Sequence, residues 1–342
     1  MQVAINPLMA ILLAATLFGQ TPPPHPDRSD QKIKARLNKM LAIAKADREK
    51  GDWAGAISVL QDATTLDPSR DLLWAKLGEA YQGANNYQEA ATAYRKAIVI
   101  KPIGAYYNNL GEAYVKLRMT GEAVQAYKNA VAVDSTAAYQ YYFNIGAILT
   151  NTGDLEQANA AYSDSIRLNP QFAMAYYFKG TNLLSKAQVV HAKATVPDEA
   201  LQLLHRYLEL QPTGAYAIAS HQVIAFLSRD IRTTYTRQPT GEQPENGTRT
   251  LSQSEAQSLP IWKVQPVYPE LARNIRIQGQ VILDALIAKD GTVLSLSALS
   301  GNPLLIESAL DAVQQWRFKP DSILGMPVRM RTQVRVEFVL ER

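Results

Sequence analysis

A repeated spacing of small and aromatic residues over 37–212 constrains the fold of this chain more than any other feature. Gly78, Gly111 and Gly146 occupy equivalent positions in successive copies, at intervals of 33 and 35 residues. Small residues let two helices approach closely, and a proline such as Pro102 ends the second helix of a pair. The spacing predicts stacked antiparallel helix pairs that form a solenoid with a concave face.

These copies resemble the tetratricopeptide repeat. The first complete copy carries the consensus residues Trp74, Leu77, Gly78, Tyr81, Ala90, Tyr94, Ala97 and Pro102. A degenerate copy precedes it, and a later copy contains an insertion near 185–196 that either lengthens a helix or makes a loop. An amphipathic helix over 215–232 is expected to close the last repeat. We therefore predict an α-helical solenoid with a capping helix over residues 37–232.

The resemblance implies a partner-binding groove lined by the first helix of each pair. Its expected lining is a mixture of amide, aromatic and a few charged residues, which does not match the carboxylate clamp of chaperone-binding members. For Phe143 and Tyr177, groove and core positions are both open. The predicted groove residues are Asn108, Glu112, Lys116, Phe143, Asn151, Tyr177 and Thr181.

Residues 233–258 differ in character from the repeats. They are rich in Thr, Gln, Glu, Pro and Gly, and they show no apolar periodicity. Such a composition favours a flexible linker with a root-mean-square span of roughly 30 Å.

Residues 259–342 carry the alternating pattern of β-strands. Segments 280–288 and 293–299 flank an Asp-Gly turn, which is a strong hairpin signal. Asn302 precedes a proline and suits a helix N-cap. Apolar and polar residues then alternate over 329–340, as in a long strand with one buried face. We predict a small α+β domain with a three-stranded antiparallel sheet and helices on one face.

This region resembles the C-terminal domain of TonB. The landmarks are the stretch 265–269, the turn 290–293, the segment 316–320 and the final Val-x-Phe. The resemblance implies that a partner segment adds as a strand to the sheet edge. Arginines on the exposed face also discourage uncontrolled edge pairing, so both roles are open. The implied partner-binding residues are Gln265, Tyr268, Pro269, Arg331, Gln333, Arg335 and Glu337.

The N-terminal residues suggest export. The apolar run 8–18 is too short to span a bilayer comfortably, since a spanning helix needs roughly 20 residues. We predict a signal peptide over 1–19, an N-terminal linker over 20–36 and a periplasmic mature chain that does not span the membrane. No Lys or Arg precedes the apolar run, so an uncleaved inner-membrane anchor is the alternative.

Composition and motifs exclude several classes of function. The chain has no cysteine, four widely separated histidines and a net charge of +4 without a basic block. Phosphate-loop, dinucleotide-binding and nucleophile motifs are absent from the sequence. We therefore predict no enzyme activity, no metal, no cofactor and no nucleic-acid binding.

Three functions remain open at this point. The first is a periplasmic adaptor whose groove binds one protein and whose TonB-like domain binds an outer-membrane receptor or another envelope protein. The second is an energy transducer for transport across the outer membrane, held by an uncleaved N-terminal anchor. The third is a structural role in envelope assembly.

Overall fold

A computed structural model of the chain describes residues 28–237, 248–251 and 260–340. The predicted signal peptide lies outside these residues. The chain divides into two compact units, Met1–Ser135 and Thr136–Arg342. The division falls within the repeats, and not in the predicted linker, because the last repeats share a hydrophobic core with the C-terminal domain.

The described part of the first unit consists of helix pairs. Gly78 faces the ring of Tyr94, and a Cβ atom on Gly78 would lie 2.7 Å from that ring. Gly111 has the same relationship with Tyr127, at 2.9 Å. The repeated glycine therefore leaves room for the aromatic ring of the second helix. The helices are α1 Arg28–Glu49, α2 Trp53–Leu66, α3 Asp71–Gly83, α4 Tyr87–Ile100, α5 Gly104–Lys116 and α6 Thr120–Val133.

The second unit begins with further repeat helices. Gly153 ends one helix in the left-handed conformation, with φ of 87°, and Asp154 caps the next through the backbone N–H of Gln157. The insertion that was expected as a helix extension or a loop is instead a β-hairpin. The elements are α7 Ala138–Thr152, α8 Leu155–Leu168, α9 Ala173–Leu184, β1 Gln188–Val190, β2 Lys193–Thr195, α10 Asp198–Leu210 and α11 Ala217–Leu227.

The C-terminal domain follows these helices. Its predicted three-stranded antiparallel sheet is confirmed, with strand order β7-β6-β10 and two helices. The remaining strands are short and extend or flank this sheet. The elements are β3 Thr234–Thr236, β4 Thr248–Thr250, β5 Pro260–Trp262, α12 Glu270–Asn274, β6 Gly279–Ile287, β7 Val293–Gly301, α13 Pro303–Val313, β8 Arg317–Phe318, β9 Asp321–Ile323 and β10 Met326–Phe338.

Both edges of the sheet receive strands from outside the predicted domain. Strand β1 pairs antiparallel with the end of β7, where Val189 lies opposite Gly301, and β3 pairs with β7 further along. On the other edge, β4 pairs in parallel with the start of β10. Strands β3 and β4 lie within 233–258. The prediction of a flexible linker is therefore wrong for the parts of this range that form strands, because their backbone groups complete the sheet.

One hydrophobic core joins the last repeat helices to the sheet. It includes Leu204 of α10 and Leu283 of β6, both fully buried. Asn302 caps α13 through the N–H of Leu304, as predicted, and its side-chain amide also donates to the carbonyl of Leu184. Residues 136–340, where described, thus form a single packed structure and not two tethered modules.

Candidate functional site

The outer edge of β10 is the first candidate partner-binding surface. The N–H of Leu251 donates to the carbonyl of Arg331 at 2.9 Å, so the backbone groups of Arg331 point away from β6. In a strand these groups alternate between the two sides, and Gln333, Arg335 and Glu337 therefore point the same way. Within the described residues, no strand pairs with this stretch beyond Arg331 on the outer side. We call the backbone of Gln333–Glu337 the open edge.

The chain itself occupies the start of that edge. Strand β4 covers Arg329–Arg331 in a parallel register. Leu251 follows β4 and is buried in the common core, and Arg249 forms an ion pair with Asp321. As far as the described residues show, an added partner strand would therefore find unpaired backbone groups at Gln333 and beyond, and not at Arg331.

The predicted side chains of β10 lie on the exposed face of the sheet. Arg331 makes a bidentate ion pair with Asp284 of β6, with contacts of 2.7–3.1 Å. Glu337 accepts from Gln280 at 3.4 Å. Arg335 has no hydrogen-bond or ion-pair partner among the described residues, and it leaves one uncompensated positive charge beside the open edge.

The three predicted residues before β6 are not all at this edge. Tyr268 is half-buried, donates to the carbonyl of Ile277 at 2.6 Å and contacts the ring of Phe338 on β10. Gln265 and Pro269 instead line a cavity of about 340 Å³ beside α13. Tyr268 thus supports the end of β10, whereas the other two belong to a different surface.

A polar cavity in the first unit is the second candidate surface. It has a volume of about 440 Å³ and is lined by residues of α1, α3, α4 and α5. The predicted residues Glu112 and Lys116 line it, and Asn108 donates to Glu112 at 2.8 Å. The full lining is Arg48, Glu79, Gln82, Gly83, Tyr87, Tyr94, Asn109, Glu112 and Lys116.

Hydrogen bonds fix the two carboxylates of this cavity differently. Glu79 is neutralised by Arg48 and Lys76, at 2.8 and 2.9 Å. Glu112 receives side-chain amides instead, from Asn108 and from Gln82 at 3.1 Å. Burial raises the pKa of the Tyr94 phenol well above its usual value, and the two carboxylates raise it further. The neutral Tyr94 hydroxyl donates to Gln82 at 3.0 Å, which orients the amide that holds Glu112.

The predicted groove residues of the second unit are mostly engaged in packing. Phe143 contacts Tyr162, Phe172 and Phe178 through its ring. Tyr177 is buried and stacks on Tyr216 at 4.2 Å between centroids.

The two polar residues predicted there differ in exposure. Thr181 is buried and donates to the carbonyl of Phe178, and Asn151 is exposed and accepts from Arg276. Tyr177 and Thr181 are both buried and therefore inaccessible to a partner, and Tyr207 and Tyr216, which follow the insertion, contact the ring of Tyr177.

Several residues that line these surfaces were not among the predicted site residues. Arg48 and Glu79 belong to the groove but lie in different repeats, and the degenerate first repeat hides the alignment of Arg48. The repeat spacing contains the signal for Glu79, since it precedes Glu112 by 33 residues. Strand β4 carries no apolar alternation, and nothing local in its sequence indicates its partner.

None of the helices in the described ranges combines the length and the hydropathy that a membrane-spanning segment requires. The same residues contain no group of three or more His, Cys, Asp or Glu side chains that could hold a metal ion.

Comparison with known families identifies both modules. A model of the C-terminal region of the Gram-negative bacterial TonB protein matches residues 264–340. Tetratricopeptide-repeat models match residues 41–105, 104–136 and 139–172. The chain therefore contains tetratricopeptide repeats and a C-terminal TonB-type domain, which confirms the predicted resemblances. These modules support a role in protein–protein interaction.

Individual proteins resemble separate parts of the chain. TonB of Vibrio cholerae is 37% identical over 81 residues, which are 23% of this chain and 33% of that protein. TonB of Xanthomonas campestris is 34% identical over 77 residues, which are 22% of this chain and 34% of that protein. The chain thus spans about a third of the length of these TonB proteins. Among solved structures, the MamA protein is 24% identical with a TM-score of 0.45, covering 52% of this chain and 92% of that chain.

Proposed function

We propose that this protein is a non-enzymatic adaptor of the bacterial cell envelope. Its repeats hold a peptide segment of one partner in the polar cavity around Glu112. Its TonB-type domain binds a strand from a second partner, an outer-membrane receptor or another envelope protein. The predicted signal peptide supports a periplasmic location for the mature chain.

The observation that carries this proposal is the open edge of β10. A strand that pairs with Gln333–Glu337 gains main-chain hydrogen bonds without disturbing β6, because these backbone groups point outward. The exposed side chains beside them add selectivity, and Arg335, which has no ion-pair partner among the described residues, favours an acidic side chain on the added strand. Strand β4 pairs in parallel with Arg329–Arg331, immediately before the open edge.

Titration calorimetry of the full chain tests strand addition. The probes are synthetic N-terminal segments of outer-membrane receptors from the same organism. Arg335→Pro removes one outward N–H and leaves the ladder with β6 intact, since the N–H of Arg335 takes no part in it. We expect this variant to lose peptide binding.

Arg335→Ala is the matched control, because it removes the same side chain and keeps the N–H. This variant should retain main-chain pairing and weaken binding only through the lost charge. Equal loss in both variants would assign binding to the guanidinium and contradict strand addition.

An energy transducer with an uncleaved N-terminal anchor is the second candidate. The match of residues 264–340 to TonB and the apolar run 8–18 favour it. The N-terminal sequence of the protein purified from cells separates the two candidates. A start near Gln20 supports the periplasmic adaptor, and an intact Met1 on a membrane-bound protein supports the transducer.

A further inference from the structure

The hairpin between β9 and β10 ends in an exposed apolar tip. Six consecutive residues, Ser322–Pro327, are exposed, and none of them carries a charge. Ile323, Leu324 and Met326 are 47%, 94% and 66% exposed. Three large apolar side chains at one protruding turn form a surface that gains free energy when it leaves water.

The backbone of this turn is unfavourable for its leucine. Leu324 and Gly325 link the two strands with φ values of 50° and 80°, both in the left-handed region. Two-residue hairpin turns of this kind favour Asn-Gly, since an asparagine tolerates left-handed backbone far better than leucine. Within the described residues the Leu324 side chain is almost fully exposed, so no packing offsets this strain. A strained leucine that packs against nothing in the described chain indicates a role in contact with another molecule.

Two exposed cationic residues precede the hairpin. Of the four cationic side chains in residues 317–331, Arg331 is already paired with Asp284 of β6, and the single carboxylate of this range is Asp321. Asp321 is already paired with Arg249 of β4. Arg317 and Lys319 are exposed just before β9. An apolar tip that follows two exposed cationic side chains matches the boundary between acyl chains and anionic headgroups.

We propose that the Ser322–Pro327 tip inserts into the surface of a membrane that contains anionic phospholipid. Ile323, Leu324 and Met326 enter the apolar boundary, while Arg317 and Lys319 contact the headgroups. A lipid surface fits the tip better than a protein pocket does. The tip has neither an aromatic nor an arginine anchor, and its one polar side chain is that of Ser322. This inference does not depend on the open edge.

Site-specific fluorescence tests the insertion. The chain has no cysteine, so Leu324→Cys takes a single environment-sensitive dye. Vesicles made of equal amounts of phosphatidylethanolamine and phosphatidylglycerol are added to the full chain. We expect a blue shift of the dye with these vesicles and none with phosphatidylcholine vesicles. Val99→Cys, at a position 85% exposed in the first unit, is the control and should show no shift.

Co-sedimentation with the same vesicles provides a second measurement. Leu324→Asn suits the left-handed turn, so this variant folds and lacks the apolar tip side chain. We expect its vesicle affinity to fall by roughly tenfold or more. The absence of a dye shift at position 324 with anionic vesicles would overturn the proposal. An equal shift at positions 324 and 99, or with phosphatidylcholine, would overturn it as well.

Discussion

The side-chain amide of Asn302 donates to the carbonyl of Leu184 at 2.8 Å, and this bond joins the C-terminal domain to the last repeat helices. The same side chain caps α13 through the N–H of Leu304 at 3.1 Å. Asn302 is buried, so both bonds are shielded from water. One residue therefore fixes the start of α13 and the position of the repeat that packs on it.

Replacing Asn302 separates these two roles. Asn302→Ala removes both bonds and leaves the buried carbonyl of Leu184 without its partner. We expect a loss of about 2–4 kcal/mol in the free energy of unfolding, measured by urea denaturation. Asn302→Ser keeps a capping oxygen and loses only the bond to Leu184, so its loss should be smaller. Equal stability of wild type and Asn302→Ala would contradict a shared structure.

The repeat glycines should tolerate no side chain. A Cβ atom on Gly78 would lie 2.7 Å from the Tyr94 ring, and Gly78→Ala should therefore destabilise the first unit by about 1–3 kcal/mol. Gly121→Ala is the matched control, since Gly121 also lies in a helix but has no atom within 4 Å of its added Cβ. That variant should be neutral or slightly stabilising because alanine favours helix. Thermal unfolding of both variants measures the difference.

Two tyrosines of the second unit give a pH prediction. Burial raises the pKa of Tyr162 and that of Tyr177 to about 12. In the unfolded chain a tyrosine titrates near 10, so these residues stabilise the fold below that pH. Their contribution is lost as the pH rises from about 10 to about 12. An absorbance titration of the folded protein should show phenols that ionise above the usual tyrosine range. Tyr162→Phe should reduce the number of such phenols by one.

Strand β4 should contribute measurably to stability. Leu251 is buried in the common core, so Leu251→Ala should cost about 2–4 kcal/mol. The exposed Thr250 is its control, and Thr250→Ala should cost far less. If urea denaturation gives the same stability for both variants, the pairing of β4 with β10 is not part of the native fold.

The parts of the fold that were predicted from sequence are those with a local pattern. The repeat glycines and the alternation before Phe338 each repeat within a few residues or one helix pair. Strand β1 shows the opposite case, because Val189 pairs with Gly301 more than a hundred residues later. Its hairpin turns at His191 and Ala192, with φ of 48° and 65°, where the sequence has neither glycine nor asparagine. No local signal could reveal this element.

The candidate surfaces also differ in whether a local sequence pattern or a distant contact determines them. Glu112 and Lys116 were predicted from their repeat positions, and the groove depends only on helices next to each other in sequence. Tyr177 occupies an equivalent type of position but is buried, because the chain beyond the insertion brings Tyr216 onto its ring. Periodicity identifies the face of a helix, and it does not identify what later covers that face.

The open edge of β10 is tested most directly by amide hydrogen exchange of the full chain. The N–H groups of Gln333, Arg335 and Glu337 point outward, so they should exchange faster than those of Val334 and Val336. A receptor peptide that adds as a strand should slow exchange at these three outward positions and leave the others unchanged. Peptide binding without new protection at Gln333, Arg335 and Glu337 would contradict strand addition at this edge.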